Sequence, residues 1–100
     1  MFDKKYQTRG VAAEVNLDIQ LILWSMIDTW KAQKKELDYL QVFELSIERI
    51  NGKPIQKVVH RQEVPPRKEE MMFRVVEPMN GRLWVVDGGE GAVMMKPDEY

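Results

Sequence analysis

The chain has 100 residues, 44% hydrophobic and 31% charged, with three Trp, three Tyr and three Phe, which makes one domain with enough large apolar side chains for a packed core. It contains no cysteine and a single histidine, so disulfides, thiolate nucleophiles and Cys-ligated zinc are excluded and a reducing cytoplasm is the natural setting. Net charge is −1, but residues 49–68 hold six Lys/Arg against Glu63 alone, while 1–48 carry −2 and 69–100 carry −4, a dipolar pattern that can steer an oppositely charged partner.

The opening Met1-Phe2-Asp3-Lys4-Lys5 is charged and leads into no apolar run, so no signal peptide is expected. Tyr6-Gln7-Thr8-Arg9 reads as a short edge strand ending at Gly10, and Val11 to Val15 as a connector. Asn16 is placed to cap a helix running from about Leu17 to about Lys35, with Asp18 in its first turn and Lys31, Lys34 and Lys35 at its end, both suiting the helix dipole. Ile19, Ile22, Leu23, Met26, Ile27 and Trp30 gather on one face as the core stripe. Leu17, Leu21 and Trp24 form a second apolar strip that an ordinary surface helix does not need. The stretch Leu17 to Ile27 is broken by Asp18, Gln20 and Ser25 and falls short of the ~20 residues that span a bilayer. A soluble, cytoplasmic chain with no membrane contact is therefore expected.

From Tyr39 the period becomes two: Phe43, Leu45 and Ile47 point one way, Glu44, Ser46 and Glu48 the other. Asn51-Gly52-Lys53-Pro54 is read as a four-residue turn, after which Ile55 to Val64 returns antiparallel. That register sets Glu48 opposite Lys57 and Glu44 opposite Arg61, and puts Val58 and His60 on the core side. Pro65-Pro66 ends the hairpin. Met71 to Glu77, Arg82 to Asp87 and Ala92 to Lys96 complete the strands. Leu83-Trp84-Val85-Val86 is apolar on both faces, as a central or an interface strand is. The fold class is α+β: one amphipathic helix packed on an antiparallel meander of about five to six strands, a single domain over residues 1–100.

His60 is the one candidate general base, yet its parity points it inward and neither Ser25 nor Ser46 sits in a nucleophile turn. One histidine without cysteine argues against a transition-metal site. Gly88-Gly89-Glu90-Gly91 is not a phosphate loop, because no Lys-Ser/Thr and no helix follow it. Glu69-Glu70 and Asp98-Glu99 read as solvated pairs. No catalysis, cofactor or metal is expected. The binding candidates are Leu17, Leu21 and Trp24 as an apolar anchor, unless the N-terminal arm covers them, and Lys57, Arg61, Arg67 and Lys68 as a steering patch for an acidic protein surface. Nucleic acid bound along the basic 49–68 hairpin is the alternative, weakened by a pI near 5.8 and by Glu44 and Glu48 on the same face. The second helix strip and the two-sided strand also permit a homodimer.

Tyr6-Gln7-Thr8-Arg9-Gly10, the Leu/Trp-rich helix, Leu37-Asp38-Tyr39-Leu40-Gln41-Val42-Phe43-Glu44-Leu45, His60-Arg61-Gln62-Glu63-Val64-Pro65 and Val85-Val86-Asp87-Gly88-Gly89-Glu90 together resemble a family of small Gram-positive bacterial and phage proteins first noted in staphylococci, domain of unknown function nine-sixty. The likeness covers nearly the whole chain, and no functional residue transfers with it. What it implies is context: accessory genes of mobile elements, whose small products often inhibit host defence or replication proteins stoichiometrically, anti-CRISPR proteins among them. The expectation is a non-enzymatic protein-binding module acting as an inhibitor or regulator of a host protein.

Overall fold

Asn51 and Gly52 set the centre of the architecture. In the computed structural model, which describes Met1–Tyr100, both adopt left-handed backbone angles, φ 53° and 80°, the combination that a tight two-residue hairpin turn requires. They join β2 (Leu40–Ile50) to β3 (Lys53–Gln62), with Ile50 opposite Lys53. The four-residue turn expected at Asn51–Pro54 is thus corrected to two residues, and Lys53 and Pro54 belong to the strand. Lys57 lies opposite Ser46, and Arg61 opposite Val42. A shift of two keeps every side chain on its expected face. His60 and Val58 stay on the core side, now opposite Phe43 and Leu45 rather than the Leu45 and Ile47 of the expected register. Glu44–Arg61 (2.9 Å) and Glu48–Lys57 (3.7 Å) still pair, now as diagonal neighbours.

Ahead of this hairpin stand β1 (Lys5–Gln7), α1 (Arg9–Glu14) and α2 (Leu17–Ala32). The expected connector at Val11–Val15 is mostly the helix α1. Its start is fixed by Thr8, whose Oγ1 accepts the Val11 N–H at 3.2 Å, and it seats Val11 and Val15 in the core. Gly10 does not end a strand; it lies inside α1, pressed so close to Glu99 that a Cβ would come within 2.6 Å of the carboxylate. The long helix stops about one turn before Lys35, where Lys34 turns left-handed (φ 58°). Its core stripe is the expected one: Ile19, Leu23, Met26, Ile27 and Trp30 are buried and Ile22 half-buried.

Three more strands follow: β4 (Arg67–Phe73), β5 (Gly81–Asp87) and β6 (Ala92–Met95), then a 3-10 turn at Pro97–Glu99. The third long strand begins four residues earlier than expected, and Val75 and Val76 fall in the loop after it. The sheet order is β1-β6-β5-β2-β3-β4, antiparallel throughout except for the parallel pair of β1 with β6. A strict meander is therefore corrected: after β4 the chain crosses back, and β5 pairs with the free edge of β2. Side-chain character explains the exchange. Arg67-Lys68-Glu69-Glu70 puts charge on both faces of β4, which suits a sheet edge, whereas Leu83 and Val85 require a place beneath the helices.

Both helices cover one face. The core joins Phe2, Val11, Val15, Ile19, Leu23 and Ile27 to Phe43, Leu45, Val58, Leu83, Val85 and Met94. Gln56 seals the far end: its amide nitrogen donates to the Ser46 and Met79 carbonyls (3.1 and 3.0 Å), and its Oε1 accepts the Met79 N–H at 2.8 Å. No helix is long and apolar enough to cross a membrane.

Candidate functional site

The candidate anchor on α2 divides. Leu17 and Leu21 are exposed, at 66% and 59%, but Trp24 retains only 9% exposure and belongs to the core. Successive helical residues turn by 100°, which places Trp24 some 60° back from Leu21 toward the sheet. There the Lys5 ammonium lies 5.9 Å from its ring centroid and pairs with Asp28 at 3.3 Å. Trp24 is thus covered by β1 and offers no free anchor. The four candidate cations divide as well. Lys57, Arg61 and Lys68 alternate onto the face away from the helices, while Arg67 reaches the helix side, its guanidinium 5.5 Å from the Trp30 ring centroid.

His60 is fully buried and stacked between Trp30 (3.7 Å, 15°) and Phe43 (4.4 Å, 17°). The Gln41 amide nitrogen donates to the Asp38 carbonyl (2.9 Å) and to Gln62 Oε1 (2.8 Å). Its Oε1 is therefore the acceptor for the His60 Nε2–H at 2.6 Å. Burial pushes this imidazole down to about 3, so it is neutral near pH 7. Gln62 completes the chain by donating to the carbonyls of Glu36 (2.9 Å) and Pro65 (2.8 Å). Gln41 and Gln62 went unremarked in the sequence, although their parity with Phe43 and His60 is the signal that places them inside.

The other face of the sheet carries no helix. The strand registers arrange its side chains in cross-strand rows. Tyr6, Val93, Val86 and Leu40 form one wholly apolar row across four strands. The next runs Met95, Trp84, Val42, Arg61, Lys68, passing from apolar to basic across five. A third contains Arg82, Glu44, Val59 and Glu70. Tyr6 is exposed, Val86, Val93, Trp84 and Met95 are half-buried, and Val42 is closed in among its neighbours. Tyr100 meets Trp84 edge-on at 5.5 Å. Its phenol also pushes the Tyr39 hydroxyl above the usual tyrosine value, marking a small aromatic rim.

Below the apolar rows, Glu44 is held by two arginines: Arg61 Nε donates to Oε1 at 2.9 Å, and an Arg82 terminal nitrogen lies 3.5 Å from Oε2. The hydrogen bond from Arg61, with both guanidinium charges, keeps the Glu44 carboxyl below the ordinary range. A shallow depression of about 460 Å³ opens beside it, lined by Ser46, Lys57, Val59, Gly81 and Arg82 among others. Ser46 and Lys57 stand opposite each other there, and the ammonium pairs with Glu48. A larger depression, about 790 Å³, lies at the β1–β6 end among Asp3, Lys4, Tyr6, Asp87 and Glu90. Asp87 in it is committed to the Phe2 and Gly89 N–H groups, at 2.6 and 2.7 Å. No cluster of three or more His, Asp or Glu is placed to hold a metal ion. The arrangement offers contact chemistry: apolar area, aromatic edges and guanidinium donors.

The chain is similar in fold to a protein of unknown function from Enterococcus faecalis, known from its crystal structure, at 23% identity. The match covers 97% of this chain and 90% of that one, with a TM-score of 0.72. No curated protein matches it. The family model described as "Staphylococcal protein of unknown function (DUF960)" matches residues 4–99, and the chain therefore belongs to that family.

Proposed function

We propose that this chain is a non-enzymatic protein-binding module, acting in the cytoplasm as a mobile-element-encoded regulator or inhibitor of a host protein, and that it binds through the face of the sheet opposite its helices. One observation supports the binding reading above the rest. Two adjacent cross-strand rows place six partly or fully exposed apolar side chains (Tyr6, Leu40, Trp84, Val86, Val93 and Met95) around the buried Val42 on a face that neither helix covers. Contiguous apolar patches of this kind mark interaction surfaces, and Trp at their centre is the side chain most favoured at binding hot spots. Absent chemistry supports the non-enzymatic half of the reading: the one histidine is sealed between two aromatic rings and spent on Gln41.

The test is affinity capture from a Gram-positive lysate with three proteins of equal thermal stability. Wild type and a Leu17→Ser/Leu21→Ser variant are expected to retain the same partner, and Trp84→Ser/Val86→Ser to lose it. The reverse pattern moves the binding surface to α2 and ends this reading.

A further inference from the structure

If the uncovered face is the binding surface, its layout specifies what it takes. We infer that its occupant is an amphipathic helix of another protein that carries Asp or Glu at one end of its apolar stripe. The row Met95, Trp84, Val42, Arg61, Lys68 crosses five neighbouring strands. Strands lie about 4.8 Å apart, so the row is about 19 Å long, the length of roughly 13 helical residues. The opposite face shows what this sheet accepts, because α2 packs on it with a stripe of Ile19, Leu23, Met26, Ile27 and Trp30.

Charge supplies the polarity. The three apolar members stand on β6, β5 and β2, and the two cations on β3 and β4. Arg61 spends its Nε on Glu44, and Arg82 brings one terminal nitrogen to the same carboxylate. Neither guanidinium makes another ion pair within the protein, and their side chains remain 35% and 54% exposed. Glu44 thereby fixes two cationic forks beside the apolar rows with donors to spare, a geometry that receives a second carboxylate. Lys68, 64% exposed, extends the cationic end and pairs with Glu70 at 4.0 Å. An acid-tipped helix fits this row, and a basic one meets like charge.

The probe is a phage-displayed library of random peptides about 16 residues long, enough for the row's roughly 13 helical residues, panned on the full-length protein. Enriched sequences are expected to combine a helical apolar stripe with Asp or Glu at one end, and to bind Trp84→Ser more weakly by at least about tenfold, the effect of losing one hot-spot contact. On an Arg61→Glu/Lys68→Glu variant the same library is expected to enrich Lys or Arg at that end instead. Basic or uncharged winners on the wild type, or acidic winners on the charge-reversed variant, overturn the acidic occupant while leaving the binding face in place. Winners indifferent to Trp84 overturn the face itself. A chain that enriches nothing and sediments as a dimer has a second copy as its occupant, and one that enriches nothing as a monomer takes no such helix; either result ends the inference.

Discussion

The two faces of this sheet are built from the same strands and come to opposite ends. In β5, Leu83 and Val85 are sealed under the helices while Trp84 and Val86, alternate residues of equal apolar character, stay half-open. Helix supply accounts for the difference, since both helices lie on one side. The apolar side chains of the two rows on the second side stay only partly buried, Val42 excepted. The covered face also holds its polar groups, His60, Gln41, Gln62 and Gln56, in hydrogen-bond chains that leave His60 Nδ1 and Arg67 Nε without a partner, whereas the guanidinium donors of the open face, on Arg61 and Arg82, remain partly exposed to solvent.

The largest expected effect separating the faces is the acid response of His60. Its folded-state value is about 3 and its ordinary value 6.5, so below pH 6.5 the unfolded chain takes up a proton that the folded chain refuses. Stability attributable to this site is complete above pH 6.5 and falls on the order of 1.4 kcal/mol per pH unit down to about pH 3. Urea unfolding at a series of pH values should show a shallower acid slope in His60→Phe than in wild type over that window. Equal slopes would mean that the covered face admits the charge. The second effect is on packing. Trp30→Ala, inside the covered face, is expected to cost about 3–5 kcal/mol, and Trp84→Ala, on the open face, about 1 kcal/mol. Equal costs in denaturant unfolding would erase the distinction. The smallest effect is Glu44→Gln, expected to change stability by less than about 1 kcal/mol, as exposed ion pairs do. A larger loss would make the open face's charged cluster structural and sharpen the comparison in the other direction.

Local pattern made much of this legible. The 3.6-residue stripe of α2 and the two-residue alternation around Phe43 and His60 named the core face, and an error of two in the hairpin register left those assignments intact. The turn length itself was misjudged although Asn51-Gly52 carries the signal for a two-residue turn. The sheet order lies outside local pattern, because pairing β5 with β2 is a long-range choice made against β4. Trp24 looked like surplus strip residue because the covering side chain, Lys5, arrives from a separate strand. The two-sided apolar character of Leu83-Trp84-Val85-Val86 was visible, and β5 is a central strand whose second face no helix covers.

The parallel pairing of β1 with β6 joins Lys5 to Ala92 and Gln7 to Met94, and the α1-capping Thr8 donates to Glu99 at 2.8 Å. These contacts span almost the whole sequence, so their loop-closure entropy is the largest in the molecule. During synthesis the ribosome must release the last strand before the first one has a neighbour. The hairpin of β2 and β3 can nucleate early, from residues close in sequence, while β1 waits until β6 has been made. A nascent chain halted before Ala92 holds its central strands with one flank of the sheet still open.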